Sequence, residues 1–144
     1  MPIAGSSWVR RRSVGEVAAF AEAWLSLSAA AVVLKTMPFE RVMRATAPHS
    51  PRHLADSEVD RLVWAVSAAR RRSWLRAVCI ESALALRSML GRRGVASTLH
   101  YGVRKEGEGL QAHVWLSLGG RIVIGGETAE QFTEVATFDP SSSV

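Results

Sequence analysis

One cysteine and four histidines are the side chains of this chain that could carry out covalent chemistry. The cysteine is Cys79, and the histidines are His49, His53, His100 and His113. A lone cysteine cannot form a disulfide within the chain, so it is either a buried structural thiol or a nucleophile. These residues offer no zinc-ligand spacing, and we predict neither a metal nor a cofactor.

The local sequence predicts that Cys79 opens a helix. Residues 79–86 read Cys-Ile-Glu-Ser-Ala-Leu-Ala-Leu, and a basic stretch precedes them. The first turn of a helix has free backbone N–H groups and the positive end of the helix dipole, which favour an anion. A thiol at such a position ionises more readily, and the same N–H groups can stabilise a tetrahedral oxyanion.

A thiol nucleophile also needs an imidazole that takes its proton and passes it to the leaving group. His49 and His53 fall in a predicted proline-containing loop, whereas His100 and His113 fall on predicted strands, which hold a side chain more rigidly. A helix-start cysteine followed by a strand histidine is similar to the layout of papain-like and transglutaminase-like thiol enzymes. We therefore favour Cys79 and His113 as a catalytic pair over a structural thiol and an exposed strand histidine.

Hydrophobic periodicity predicts helices first and a small antiparallel sheet second, which is an α+β domain. Ser13 and Glu16 form a capping-box pattern, and Ser57 is a candidate N-cap. The predicted helices cover residues 14–35, 39–44, 57–71 and from 79 to Gly91 or Gly94; the predicted strands cover 95–103, 111–118, 121–124 and 134–138, with a helical turn at 128–132. We predict a single domain over residues 1–144, with a loose basic arm at 1–12 and a frayed tail at 140–144.

The charge and the apolar content limit the class of protein. The net charge is +5, which favours acidic partners. Arginines cluster at 10–12, 70–72 and 92–93 without interleaved aromatic residues, so we predict solvated helix faces there and no nucleic-acid partner.

One stretch has almost the length of a membrane span. Residues 17–34 are apolar, but Glu22 interrupts them, so we predict a buried amphipathic helix and no integral membrane segment. Contact with a membrane surface is the remaining alternative. A single cysteine suits a reducing compartment, and we expect the cytoplasm.

Residues 36–126 resemble the transglutaminase-like leader peptidases of lasso peptide biosynthesis, known as B2 proteins. Four segments carry the resemblance, namely residues 79–86, 90–95, 101–105 and 112–115. They are similar to the family's Cys-Leu-x-x-Ser-Leu-Ala-Leu helix, its Arg-Arg-Gly helix end, its Gly-Val-Arg strand end and its Ala-His-Ala-Trp strand. The resemblance implies a papain-like, transglutaminase-like fold and a Cys-His-acid triad.

The resemblance assigns Cys79 as nucleophile and His113 as base and acid. It leads us to expect an Asp or Glu about a dozen residues after the histidine, where Gly125 and Gly126 stand. Glu127 is the nearest carboxylate and our candidate third residue. Asp139 is a more distant alternative, and an amide or a carbonyl could orient the imidazole instead.

The resemblance also implies partners. These are the leader of a precursor peptide, a separate leader-binding B1 recognition protein and, as a further candidate, the lasso cyclase. The chain is similar to the split form of the family, which lacks a fused recognition domain. A transglutaminase-like acyltransferase and a non-enzymatic basic adaptor are the alternative functions.

Overall fold

Four helices precede a four-stranded sheet in the computed structural model, which describes residues 13–46, 52–72 and 79–139. The elements are α1 (Val14–Thr36), α2 (Phe39–Ala45), α3 (Asp56–Arg72), α4 (Cys79–Arg92), β1 (Thr98–Glu106), β2 (Gly109–Leu118), β3 (Arg121–Ile124), a 3-10 helix (Gly126–Gln131) and β4 (Thr133–Phe138). The order of helices and sheet predicted from the sequence is confirmed. The predicted arm 1–12, the tail 140–144 and His49 lie outside the described residues.

The predicted start of α1 is confirmed, whereas the prediction of Ser57 as the N-cap of α3 is wrong. Ser13 accepts a hydrogen bond from the N–H of Glu16, and the Glu16 carboxylate accepts one from the N–H of Ser13. Helix α3, in contrast, begins at Asp56, so Ser57 lies inside its first turn. The carbonyl of Ala55 accepts the N–H bonds of Glu58 and Val59, which places the start before Ser57.

Helix α1 packs by a face of small residues and leaves an apolar face exposed. Its buried residues are Ala19, Ala23, Ser26, Leu27 and Ala30, and small side chains let it approach α3 and α4 closely. Val14, Val17, Leu25 and Val32 are exposed. Within the described ranges, α1 is the one helix long and apolar enough to cross a membrane, by a test of length and composition that core helices and signal sequences also pass. Only 22% of its apolar window is buried, so the prediction of a buried amphipathic helix is wrong about the burial.

Buried and half-buried arginines join the helices to one another and to the sheet. Arg87 of α4 is 3% exposed and donates to the carbonyls of Ser97 and Met43 and to the hydroxyl of Thr46. Such bonds offset the cost of removing its charge from water. Glu22, the charge inside the apolar stretch, accepts hydrogen bonds from Arg92 and Arg93 and so ties α1 to the end of α4.

The sheet is antiparallel in the order β3-β2-β1-β4. Strand β1 begins three residues later than predicted, because the N–H of Val95 donates to the carbonyl of Leu90 and closes the end of α4. The turn between the predicted strands 95–103 and 111–118 is shorter than expected: Arg104 and Lys105 pair with β2, and Gly107 and Glu108 alone make the turn.

The two faces of the sheet differ in what they carry. Leu99, Val114 and Leu116 belong to the hydrophobic core. Alternation along β2 puts His113 and Trp115 on the opposite face, and His100 of β1 pairs in register with Trp115. Strand β3 pairs only with Leu116–Leu118, so it does not cover the edge of β2 beside His113.

Candidate active site

A cleft of about 450 Å³ lies between α3, α4, β2 and the segment after β3. Cys79, His113 and Glu127, the three residues predicted from the sequence, all line it. They belong to three different elements, namely α4, β2 and the 3-10 helix. The fold therefore brings the whole predicted set to one place.

Cys79 is the first described residue of α4 and carries a free, half-buried thiol. It packs against the edge of the hydrophobic core and also lines the cleft. A thiol that is part of a cleft wall can be reached by a substrate, whereas a thiol enclosed in the core cannot.

The imidazole of His113 is held by its neighbours on several sides. Its Nε2 lies 2.7 Å from the carbonyl oxygen of Gly125 and 3.5 Å from the hydroxyl of Thr128. The ring lies against Trp115, with centroids 5.9 Å apart, and against Phe132 at 5.0 Å. A carbonyl only accepts hydrogen bonds, so Nε2 carries the proton and the neutral ring has its lone pair on Nδ1.

Gly125 supplies its carbonyl from a position that strongly favours glycine. Its φ is +79°, and a Cβ there would lie 2.7 Å from the carbonyl oxygen of Val114. A larger residue would therefore strain the backbone and displace its neighbours. Gly125 stands 12 residues after His113, where the family resemblance led us to expect a carboxylate. A backbone carbonyl thus occupies the place expected for the acid.

The acceptor at the His113 ring is the carbonyl of Gly125 and not either of the two carboxylates considered for the third position. Glu127 is exposed and lines the cleft, but the hydrogen-bonding partners of the His113 ring are Gly125 and Thr128. Asp139 acts on Arg87: burial lowers the pKa of that guanidinium, and the charge of Asp139 opposes the shift. The geometry favours the carbonyl of Gly125 as the group that orients His113.

The thiol and the imidazole share the cleft without a hydrogen bond between them in the described structure. Catalytic hydrogen bonds are often long or unformed in a free enzyme and tighten when substrate binds. The arrangement therefore supplies a nucleophile and a base that line one cleft, and the proton-accepting Nδ1 has no hydrogen-bond partner among the described residues.

The other described histidines lie away from Cys79. The Nδ1 of His100 lies 2.7 Å from Glu134, and its Nε2 lies 2.7 Å from the hydroxyl of Ser117. His53 is exposed and lines a different cleft. Of the three described histidines, His113 alone shares the cleft of Cys79. Within the described ranges, no three His, Cys, Asp or Glu side chains are placed to hold a metal ion.

Sequence reasoning missed three parts of the cleft wall. Arg70 and Arg71 line it from the last turn of α3, although their basic run had been interpreted as a solvated face. Ser82 also lines it, is 1% exposed, and its hydroxyl has no hydrogen-bond partner among the described residues. The Gly-Gly pair at 125–126 was the one signal in the sequence that pointed toward backbone in place of a side chain.

Comparison with known proteins agrees with this arrangement at the level of the family. No curated protein and no solved structure matches the chain. The sequence model described as the transglutaminase-like superfamily matches residues 23–137, a span that holds Cys79, His113 and Gly125. That span covers most of the 144 residues, and the observed helices followed by a four-stranded antiparallel sheet fit it. The chain therefore belongs to the transglutaminase-like superfamily.

Proposed function

We propose that this protein is a cysteine endopeptidase that removes the leader from a lasso peptide precursor, in the cytoplasm. The observation that carries the catalytic part is the cleft shared by Cys79 and His113, with Nε2 of the histidine bound to a carbonyl. Membership of a superfamily that includes cysteine proteases and acyltransferases supports thiol chemistry. The narrower role rests on the four segments that resemble the B2 leader peptidases.

The proposed reaction begins with proton transfer from the thiol of Cys79 to Nδ1 of His113. The thiolate attacks the scissile carbonyl carbon, and the oxyanion is stabilised by backbone amides at the Cys79 end of α4. As the carbon–nitrogen bond breaks, His113 gives its proton to the leaving amine, and a thioester remains. Water then attacks the thioester while His113 takes its proton, and release of the thiolate yields a carboxylate product.

The carbonyl of Gly125 would orient the imidazole through both steps. It fixes the tautomer in which Nδ1 is the basic nitrogen and hydrogen-bonds the imidazolium that forms. A carbonyl dipole supplies this orientation without the full negative charge of a carboxylate. Glu127, exposed on the same cleft, remains the candidate for an electrostatic contribution.

The proposed partners are the precursor's leader and a separate B1 recognition protein that presents it, with the lasso cyclase acting on the product. An acyltransferase that uses the same thioester is the second candidate, because the superfamily includes such enzymes. The two functions differ only in whether water or an amine attacks the thioester.

The decisive experiment is cleavage of a lasso precursor peptide, with a B1 protein present, by wild type and by Cys79→Ala. The precursor and the B1 protein are to be sought among the reading frames that neighbour this chain's gene. We expect wild type to release leader and core with the mass of water added, and Cys79→Ala to release none. His53→Gln is a matched control, since His53 lines another cleft. Unchanged cleavage by a folded Cys79→Ala protein would refute the thiol mechanism, and an amine adduct in place of the hydrolysed product would favour the acyltransferase.

A further inference from the structure

Two arginines border the cleft beside the thiol. Arg70 and Arg71 belong to the last turn of α3, are exposed, and line the cleft together with Cys79 and His113. No carboxylate of the described residues forms an ion pair with either guanidinium. Both guanidinium groups are therefore available to a ligand in the cleft.

The third arginine of the same run behaves differently. The guanidinium of Arg72 lies over the ring of Phe20, 5.9 Å from its centroid, and Arg72 is not part of the cleft wall. The run at 70–72 is thus divided by the fold: two residues border the site and one packs against α1. If the whole run were a solvated helix face, the three arginines would have similar surroundings.

The charge of the cleft wall is positive. Glu127 is the one carboxylate among its described lining residues, against two guanidinium groups. A cleft lined by one sign of charge concentrates ligands of the opposite sign. The planar guanidinium matches a carboxylate with two parallel hydrogen bonds, so arginine selects this group by shape as well as by charge.

We propose that Arg70 and Arg71 form a subsite for a carboxylate of the peptide substrate, close to the bond that Cys79 attacks. The identity of the ligand as a peptide rests on the proposed function. The substrate would then carry an acidic side chain within a few residues of the cleavage site. The neutral amide counterpart of that side chain would be a poorer substrate.

A pair of alkylating reagents tests the subsite without requiring proteolysis. The thiolate displaces iodide from the CH₂ carbon of either reagent, and it gains a carboxymethyl group from iodoacetate or a carbamoylmethyl group from iodoacetamide. Only iodoacetate carries a carboxylate. Because the chain has one cysteine, mass spectrometry reports the rate at Cys79 alone. The ratio of the two rates measures attraction of a carboxylate to the cleft, since the neutral reagent corrects for the reactivity of the thiolate itself.

We expect Arg70→Gln and Arg71→Gln each to lower the iodoacetate-to-iodoacetamide ratio by about two- to fivefold, as for exposed charge pairs. The charge-matched control Arg72→Gln should leave the ratio at the wild-type value. Glu127→Gln should raise it. Added salt should reduce the wild-type ratio toward that of the double variant Arg70→Gln/Arg71→Gln. In urea, wild type and all variants should give one common ratio.

A second readout uses two peptide pools that differ only in Glu or Gln at the positions flanking the cleavage site. Wild type should prefer the Glu pool, and Arg70→Gln/Arg71→Gln should lose that preference while still cutting the Gln pool. If the alkylation ratio of the folded double variant equals that of wild type and of Arg72→Gln, the subsite is refuted. That result is independent of the Cys79→Ala cleavage test, which can fail or succeed on its own.

Discussion

His100 and His113 lie on neighbouring strands and both stack on Trp115, yet their surroundings give them different roles. His100 is parallel to the indole, with centroids 5.5 Å apart, and both its ring nitrogens are bound, one to Glu134 and one to Ser117. In His113, only Nε2 has partners among the described residues, namely a carbonyl at 2.7 Å and a hydroxyl at 3.5 Å. By its bonds alone, His100 is the better oriented histidine.

Position relative to the thiol reverses that ranking. The Ser117–His100–Glu134 chain has the order of a catalytic triad, but it lies away from the cleft that holds Cys79. Ser117 is 7% exposed, so a substrate has little access to its hydroxyl. We interpret the His100 cluster as a link between β1, β2 and β4. A histidine with a carboxylate partner is therefore not by itself evidence of catalysis. The imidazole must also share a cleft with a nucleophile and keep one ring nitrogen available to accept its proton.

The largest expected effect separates the two histidines by activity. His113→Gln should lower kcat/KM for precursor cleavage by about 10²- to 10⁴-fold, the usual loss when a general acid-base group is removed. His100→Gln should change kcat/KM only a few-fold, and should instead lower the free energy of unfolding by about 1–2 kcal/mol through loss of two hydrogen bonds.

Steady-state kinetics and urea unfolding of both variants check this pair. Equal loss of activity in the two variants, with both proteins folded, would contradict the distinction between the histidines.

A smaller effect is expected from the group that orients His113. Gly125→Ala adds a Cβ that collides with the carbonyl of Val114 at a residue with φ +79°. Displacement of the Gly125 carbonyl should reduce cleavage by up to about 100-fold, as misplacement of a catalytic group does. The protein should also lose stability, since the left-handed conformation costs an alanine about 1–2 kcal/mol.

Gly120→Ala is the matched control, because Gly120 has φ +84° and open space around it. It carries the conformational cost without the collision and without contact to His113. We expect it to lower the unfolding free energy and to preserve kcat. A similar drop in kcat for both variants would show that general destabilisation, not the carbonyl, is responsible.

The smallest expected effect concerns Glu134, the carboxylate of the cluster formed by His100, Ser117 and Glu134. Hydrogen bonds from Thr137 and then His100 lower the pKa of Glu134. Its carboxylate therefore stabilises the fold at pH values above the usual carboxyl pKa, and this stabilisation is lost as the pH falls through the lowered pKa. Since Glu134 is 42% exposed, Glu134→Gln should cost only about 0.2–1 kcal/mol at neutral pH.

Thermal unfolding of wild type and Glu134→Gln between pH 7 and pH 3 checks this expectation. The difference in Tm should shrink as the solution becomes more acidic, while cleavage at neutral pH stays unchanged. A difference that is constant with pH would mean that the carboxylate charge contributes nothing to the fold.

Local patterns in the sequence predicted most of the architecture. The capping box at Ser13 and the periodicity that predicted the helices and strands each depend on neighbours within a few residues. The errors in the extent of the elements were at boundaries, such as Ser57 and Val95, where a hydrogen bond to a residue outside the pattern moved the end of the element. Periodicity reports which face is buried but not which residue closes a helix.

By itself, the sequence determined which residues could react, namely one thiol and a strand histidine that could act as its base. It also determined the superfamily to which the chain belongs. Both conclusions depend only on side-chain chemistry and on spacing along the chain, which the sequence gives directly. Only the tertiary structure decided that Gly125 presents a carbonyl where an acid was expected, and that Arg70 and Arg71 border the cleft while Arg72 does not. The physical reason is that every residue carries a backbone carbonyl, so the sequence does not say which carbonyl reaches the imidazole. The neighbours of a surface arginine are likewise set by how distant elements pack.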